Sequence, residues 1–109
     1  MELSVVALEQ IAEYFKVLSE VSRLQVLCAL KDGEKNVTEI MAITELGQAN
    51  VSKHLKILTQ AGLVTRQPRG VNVYYRVTDP KLFELCEVVC QMLKQRLEER
   101  SGALTNNPF

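Results

Sequence analysis

No stretch of the 109 residues approaches the ~18 consecutive apolar residues of a membrane span, and the N-terminus lacks the charged, apolar and small-residue succession of a signal peptide. The three cysteines are an odd number without a disulfide-framework spacing, which in a reducing compartment means thiols. These absences predict a cytoplasmic protein with no membrane partner. Little is present for covalent catalysis: there is one histidine without an identifiable Ser or Cys partner, no phosphate-cradling glycine loop and no paired carboxylates. An enzyme is not expected, nor is an organic cofactor. The 13 basic residues balance the 13 acidic ones, so net charge alone argues against a generic polyanion binder. At this length one core is the expectation, since domains hold about 100–150 residues.

The charge that is present is segregated. Between Gly47 and Thr78 stand Lys53, Lys56, Arg66, Arg69 and Arg76, with no Asp or Glu, while the remainder carries eight basic against 13 acidic residues. One basic face on a neutral chain is the footprint of a nucleic-acid binder that must not adhere everywhere. Its alternative is a merely solvated charged face.

The same region contains NVTEIMAITELGQANVSKHLKILTQAGLV, Asn36 to Val64, which reads as two short helices joined by a tight turn. Val51, Leu55 and Leu58 recur at helical spacing and face a core, leaving Gln48, Asn50, Ser52, Lys53 and Lys56 outward. Amides pair with adenine, lysine reaches guanine or phosphate, and hydroxyls serve either, so this face suits a DNA major groove. A helix-turn-helix over 36–62 is the reading; an ordinary amphipathic surface helix is the alternative.

Around it, Ser4 precedes an apolar helix carrying Val5, Leu8, Ile11, Ala12, Phe15 and Leu18. Ser19 is expected to cap a second helix with Val21, Leu24, Leu27 and Cys28 on or beside its inner face, stopped by Asp32-Gly33. Asn36 and Glu39 have capping-box spacing, with Ile40 and Ile43 as the buried contacts of the helix they open. Gly62 provides the left-handed end of the recognition helix. Leu63 to Gln67 and Val71 to Val77 read as strands around Pro68-Arg69-Gly70, a basic hairpin able to straddle phosphates or enter a minor groove. Asp79-Pro80 starts a last helix with Leu82, Leu85, Cys86, Val89, Met92, Leu93 and Leu97 on a wide apolar stripe. The first and last helices, within 1–18 and 79–100, are too apolar for one small core and are expected to form a dimer interface; 101–109 reads as a frayed tail.

This order of elements resembles the ArsR-type (arsenic repressor, ArsR/SmtB) winged helix-turn-helix family over about residues 6 to 98. VSKHLKILTQAGLV meets the family's V-S-x-H-L-x-x-L-x-x-A-G-L-V signature at every fixed position. The resemblance implies a mainly α fold with a β-hairpin wing over 63–78. It also implies a cytoplasmic homodimer through the terminal helices and a repressor that holds double-stranded operator DNA until an inducer weakens the grip. It makes Gln48, Asn50, Ser52, Lys53 and His54 DNA-facing and puts Arg66, Arg69 and Arg76 in or beside the wing. His54 has an equal alternative, anchoring the helix against the wing. Two-fold pairing would space the recognition helices about 34–36 Å apart. A winged helix serving as a protein-interaction module is the reading from another class.

Departures from the family bear on what is sensed. The Cys-Val-Cys pair that many arsenic or cadmium sensors carry before the recognition helix is absent from VTEIMAITEL, and the last helix lacks the histidines of zinc and nickel members, although Asp79 is present. Cys28, Cys86 and Cys90 remain. Cys86 and Cys90 are four apart, so their side chains neighbour each other, with Cβ atoms about 5–6 Å apart. With Cys28 from the same or the facing subunit they could complete a three-thiolate site for As(III) or Sb(III), the expected inducers. Alternatively, Cys28 pairs with Cys86 or Cys90 in a redox or reactive-sulfur sensor, or all three thiols are small core hydrophobes.

Overall fold

A computed structural model describes residues 4–98 and 108–109. The elements follow in the order α1 (Val5–Leu18), α2 (Val21–Ala29), α3 (Val37–Thr44), α4 (Gln48–Gln60), β1 (Val64–Arg69), β2 (Asn72–Val77) and α5 (Lys81–Glu98). They form two compact units, one ending at Thr78 and one beginning at Asp79. The first is a winged helix-turn-helix: α2, α3 and α4 pack on one another, and β1 continues from α4 into an antiparallel hairpin. Residues 101–107 of the expected tail 101–109, and the last two positions of the expected C-terminal helix, 99 and 100, lie outside the described residues.

Local chemistry accounts for most boundaries. The capping box is complete: Glu39 N–H donates to Asn36 Oδ1 at 2.8 Å and Asn36 N–H to Glu39 Oε1 at 3.0 Å. Gly62, at φ 83°, closes α4 in a Schellman arrangement, with Leu63 N–H donating to Leu58 O at 3.0 Å and Gly62 N–H to Thr59 O at 3.1 Å. The turn between α3 and α4 is held differently. Glu45 ends α3 at φ 61° and is the only non-glycine residue at positive φ among those described. Its backbone N–H donates to Met41 O at 2.8 Å, while the Thr44 hydroxyl donates to Ile40 O and accepts from Leu46 N–H.

The core of this unit is Val26, Leu27, Ile40, Val51, Leu55 and Leu58, with Leu63 and Val64 beneath the hairpin. Two residues expected inside lie outside. Val21, in the first turn of α2, is 73% exposed and Ile43, at the end of α3, 55% exposed; helical spacing marks a stripe but not how far along it the core extends. Ser19 does not cap α2. It closes α1, its hydroxyl donating to Lys16 O at 2.6 Å, and Glu20 takes the N-cap position of α2 without a side-chain cap bond.

The hairpin turn is tighter than expected, because β1 runs through Pro68 and Arg69 to a two-residue turn at Gly70 and Val71. Gly70, at φ 59°, provides the positive φ that short hairpin turns require. Lys35 adds a bridge, its N–H and C=O pairing with Tyr75 at 3.0 and 2.8 Å, which fastens the α2–α3 connection to the wing.

His54 is 1% exposed, which corrects the expectation that it faces DNA. Its Nε2 lies 3.3 Å from Glu20 Oε1 at the start of α2, and its Nδ1 is buried without a hydrogen-bond partner. Burial lowers its pKa from the usual 6.5, only partly countered by Glu20, with Lys53 and Arg23 lowering it further. Glu20 is itself held low, first by the hydrogen bond from Arg23 Nη2 at 2.7 Å, then by the charges of His54, Arg23 and Lys53.

Replacing Glu45 by Gly removes the left-handed strain at the cost of chain entropy, a net gain of about 0.5–1 kcal/mol, read from urea midpoints. For His54 the unfolded side chain takes up its proton at a higher pH than the folded one, so acid favours unfolding. Its contribution is complete above about pH 6.5 and is lost as the pH falls from there through the lowered folded value. His54→Gln should flatten that part of the stability–pH curve, measured by denaturation between pH 7.5 and 5.

Candidate nucleic-acid interface and thiol positions

Burial of Val51, His54, Leu55 and Leu58 on one side of α4 fixes which residues it presents on the other. Gln48, Ala49, Asn50, Ser52, Lys53 and Lys56 are all exposed. The exposed run is continuous over the first two turns and carries amides, a hydroxyl and two ammonium groups, the donors and acceptors that meet base edges and phosphates.

The wing extends this surface. Arg66 and Tyr75 are cross-strand partners on the face that also holds the buried Val64, whereas Arg69 and Arg76 alternate onto the opposite face with Tyr74. Arg66, Arg69 and Arg76 are exposed. Arg69 is engaged within the chain: its guanidinium grips Glu34 with both nitrogens, Nη2 to Oε2 at 2.8 Å, and its Cζ lies 5.2 Å from the Tyr74 ring centroid. The acid-free stretch is thus partly neutralised by a carboxylate from outside it. Lys56, Arg66 and Arg76 have no salt bridge among the described residues, and Lys53 feels the charge of Glu20.

Sequence reading missed three residues near these cations. Thr59, Gln60 and Tyr75 line one cleft with Ser52, Lys56 and Arg66, about 180 Å³ in volume, between α4 and the hairpin. Thr59 Oγ1 is buried with no hydrogen-bond partner. The signal was present, since Ser52, Lys56 and Thr59 stand at i, i+4 and i+7, one polar stripe of a helix. What it did not reveal was that Arg66 would fold over its end.

The thiols divide between the two units. Cys28 is half-buried on α2, the helix that packs against α4. Cys86 is half-buried and Cys90 buried, one turn apart on α5, and burial pushes the Cys86 thiol above its usual range. Among the described residues, no three His, Cys, Asp or Glu side chains gather into a metal-holding group within one chain. No described helix is long and apolar enough to cross a membrane.

Residues 20–66 match the family model described as "Bacterial regulatory protein, arsR family". The chain is 31% identical over 93 residues to the arsenical resistance operon repressor of Bacillus subtilis, covering 84% of this chain and 89% of the relative. The solution structure of a homodimeric winged helix-turn-helix DNA-binding domain from Mycobacterium bovis, a possible ArsR-family regulator, matches with TM-score 0.73 and 32% identity, over 88% of this chain and 89% of that one. The crystal structure of the AntR antimony-specific transcriptional repressor matches with TM-score 0.78 and 25% identity, over 90% of each chain. With its fold, its recognition helix and relatives of this extent in agreement, the chain belongs to the ArsR family of DNA-binding transcriptional regulators.

Proposed function

We propose that the protein is a cytoplasmic, homodimeric repressor that reads a pseudo-palindromic operator through paired α4 helices and lets go when As(III) or Sb(III) is bound by Cys28, Cys86 and Cys90. The observation that carries DNA reading is the polar run Gln48–Lys56 presented by a helix whose other side is wholly buried. Dimer formation is supported by apolar residues left at the surface: Val5, Leu8, Ile11 and Phe15 on α1, and Val88, Val89, Met92 and Leu93 on α5. The assembly of the Mycobacterium bovis relative supports it too.

The metalloid reading is supported by the Cys86–Cys90 spacing and by what the Bacillus subtilis and AntR relatives are named for. The chemistry suits protonated thiols. A trivalent metalloid hydroxide exchanges three M–O bonds for three M–S bonds, and each thiol proton leaves with a hydroxide as water. No electron is transferred, and the raised Cys86 pKa is no obstacle. Cys28 sits on α2, against α4, so a bridge from it to the α5 thiols would strain the seat of the recognition helix.

Two measurements test this. On a duplex selected in vitro for tight binding, Lys53→Ala and Asn50→Ala should each cost about 1–3 kcal/mol, with Asn50→Ala relaxing preference at one base position; unchanged selectivity in both would assign α4 to protein contacts instead. Addition of As(III) or Sb(III) to the reduced protein should produce thiolate–metalloid absorbance and weaken DNA binding by about 1–3 kcal/mol, and Cys→Ser at any of the three positions should abolish this. Release by tetrasulfide or peroxide without any response to metalloid would establish the redox reading, with Cys28 joined to Cys86 or Cys90.

A further inference from the structure

We propose that the cleft between α4 and the hairpin is the seat of one DNA backbone phosphate. Ser52 and Lys56 then hold the backbone, leaving Asn50 and Lys53, with Gln48 in the first turn, to read bases. The proposal rests on the DNA-binding reading above and divides its surface into two functions.

The lining residues state the ligand's chemistry. Ser52, Lys56, Thr59, Gln60, Arg66 and Tyr75 surround about 180 Å³, enough for a phosphodiester group and a few waters of about 30 Å³ each. Both charges in the lining are positive, neither has a salt bridge among the described residues, and no carboxylate lines the cleft. The remaining groups are two hydroxyls, a phenol and an amide, all able to donate. Base edges offer donors as well as acceptors; a phosphate oxygen is anionic and accepts only, which is what two cations and three accessible donors complement. Thr59 lines the cleft but its Oγ1 is itself buried, so the fit rests on Lys56, Arg66 and the accessible donors of Ser52, Gln60 and Tyr75.

Position favours DNA over a dissolved anion. Ser52 and Lys56 belong to the exposed face of α4, and Arg66 comes from the strand that leaves that helix, so the cleft borders the groove-facing surface. Asn50 and Lys53, three apart, lie on the other side of that face. A helix in the major groove is flanked by phosphate rows, and a site at its edge meets one of them.

The test uses the full-length protein and the selected duplex, with a neutral methylphosphonate at one phosphate at a time. One phosphate per half-site should emerge at which the substitution weakens the unaltered protein about tenfold and leaves the Lys56→Gln/Arg66→Gln double variant unaffected. The double variant, its fold verified by circular dichroism, should weaken on selected and scrambled duplexes by the same factor. Because two cations share a single phosphate, the slope of log K against log salt should fall by about 0.9 per half-site and not by about 1.8. Ser52→Ala should likewise leave base preference unaltered. Separate phosphates for Lys56 and Arg66, a changed base preference in Ser52→Ala, or an undiminished methylphosphonate effect in the double variant overturns the cleft and leaves DNA binding standing. Failure of the unaltered protein to bind any duplex overturns both.

Discussion

The burial of Val51, His54, Leu55 and Leu58 against α2 and α3 orients the recognition helix, and the outward chemistry follows from it. The three aliphatic side chains are each worth about 1.5–3 kcal/mol when removed from water. A helix so held cannot turn on its axis without exposing that stripe, so the direction of Gln48, Asn50 and Lys53 is set from behind. The wing inherits the same frame. Gly62 turns the chain directly from α4 into β1, and the backbone pair between Lys35 and Tyr75 ties the hairpin to the loop before α3. Helix, turn and hairpin are thus one rigid presentation of polar groups.

Electrostatics divides this surface more finely than composition does. A charge count over Gly47 to Thr78 finds five cations and no anion, yet Glu34 reaches Arg69 from outside the segment and Glu20 lies in the field of Lys53. Lys56, Arg66 and Arg76 have no salt bridge among the described residues. Lys56 and Arg66 are thus two cations without a salt bridge that line the cleft at the join of α4 and the wing. The opposite face of the hairpin has one of its two arginines already engaged by Glu34.

Much of this was legible in the residues because the signals were local. Asn36 and Glu39 specified a cap, Gly62 a left-handed helix end, and the spacing of Val51, Leu55 and Leu58 the buried side of α4, and each stands where spacing placed it. Apart from Ser19, whose partner Lys16 is local, the misreadings concern how elements pack on one another. His54 reads as polar, and only the return of α2 with Glu20 places it inside. Val21 and Ile43 keep helical phase but stand in the first and last turns of their own helices, where they are exposed. Pro68 reads as a strand breaker, yet in a two-stranded hairpin its missing N–H need not interrupt pairing to Arg69. The cleft was invisible because it needs α4 and both strands at once.

In the proposed mechanism sensing and DNA reading would meet on α2, which carries Cys28 and forms part of the floor beneath α4. That floor matters only if two copies of α4 address DNA together. The most direct measurement is hydroxyl-radical footprinting of the protein on its selected duplex. Paired recognition helices predict two protected patches whose centres lie one helical turn, about 10–10.5 base pairs, apart. One isolated patch, or protection without regard to sequence, would contradict the account.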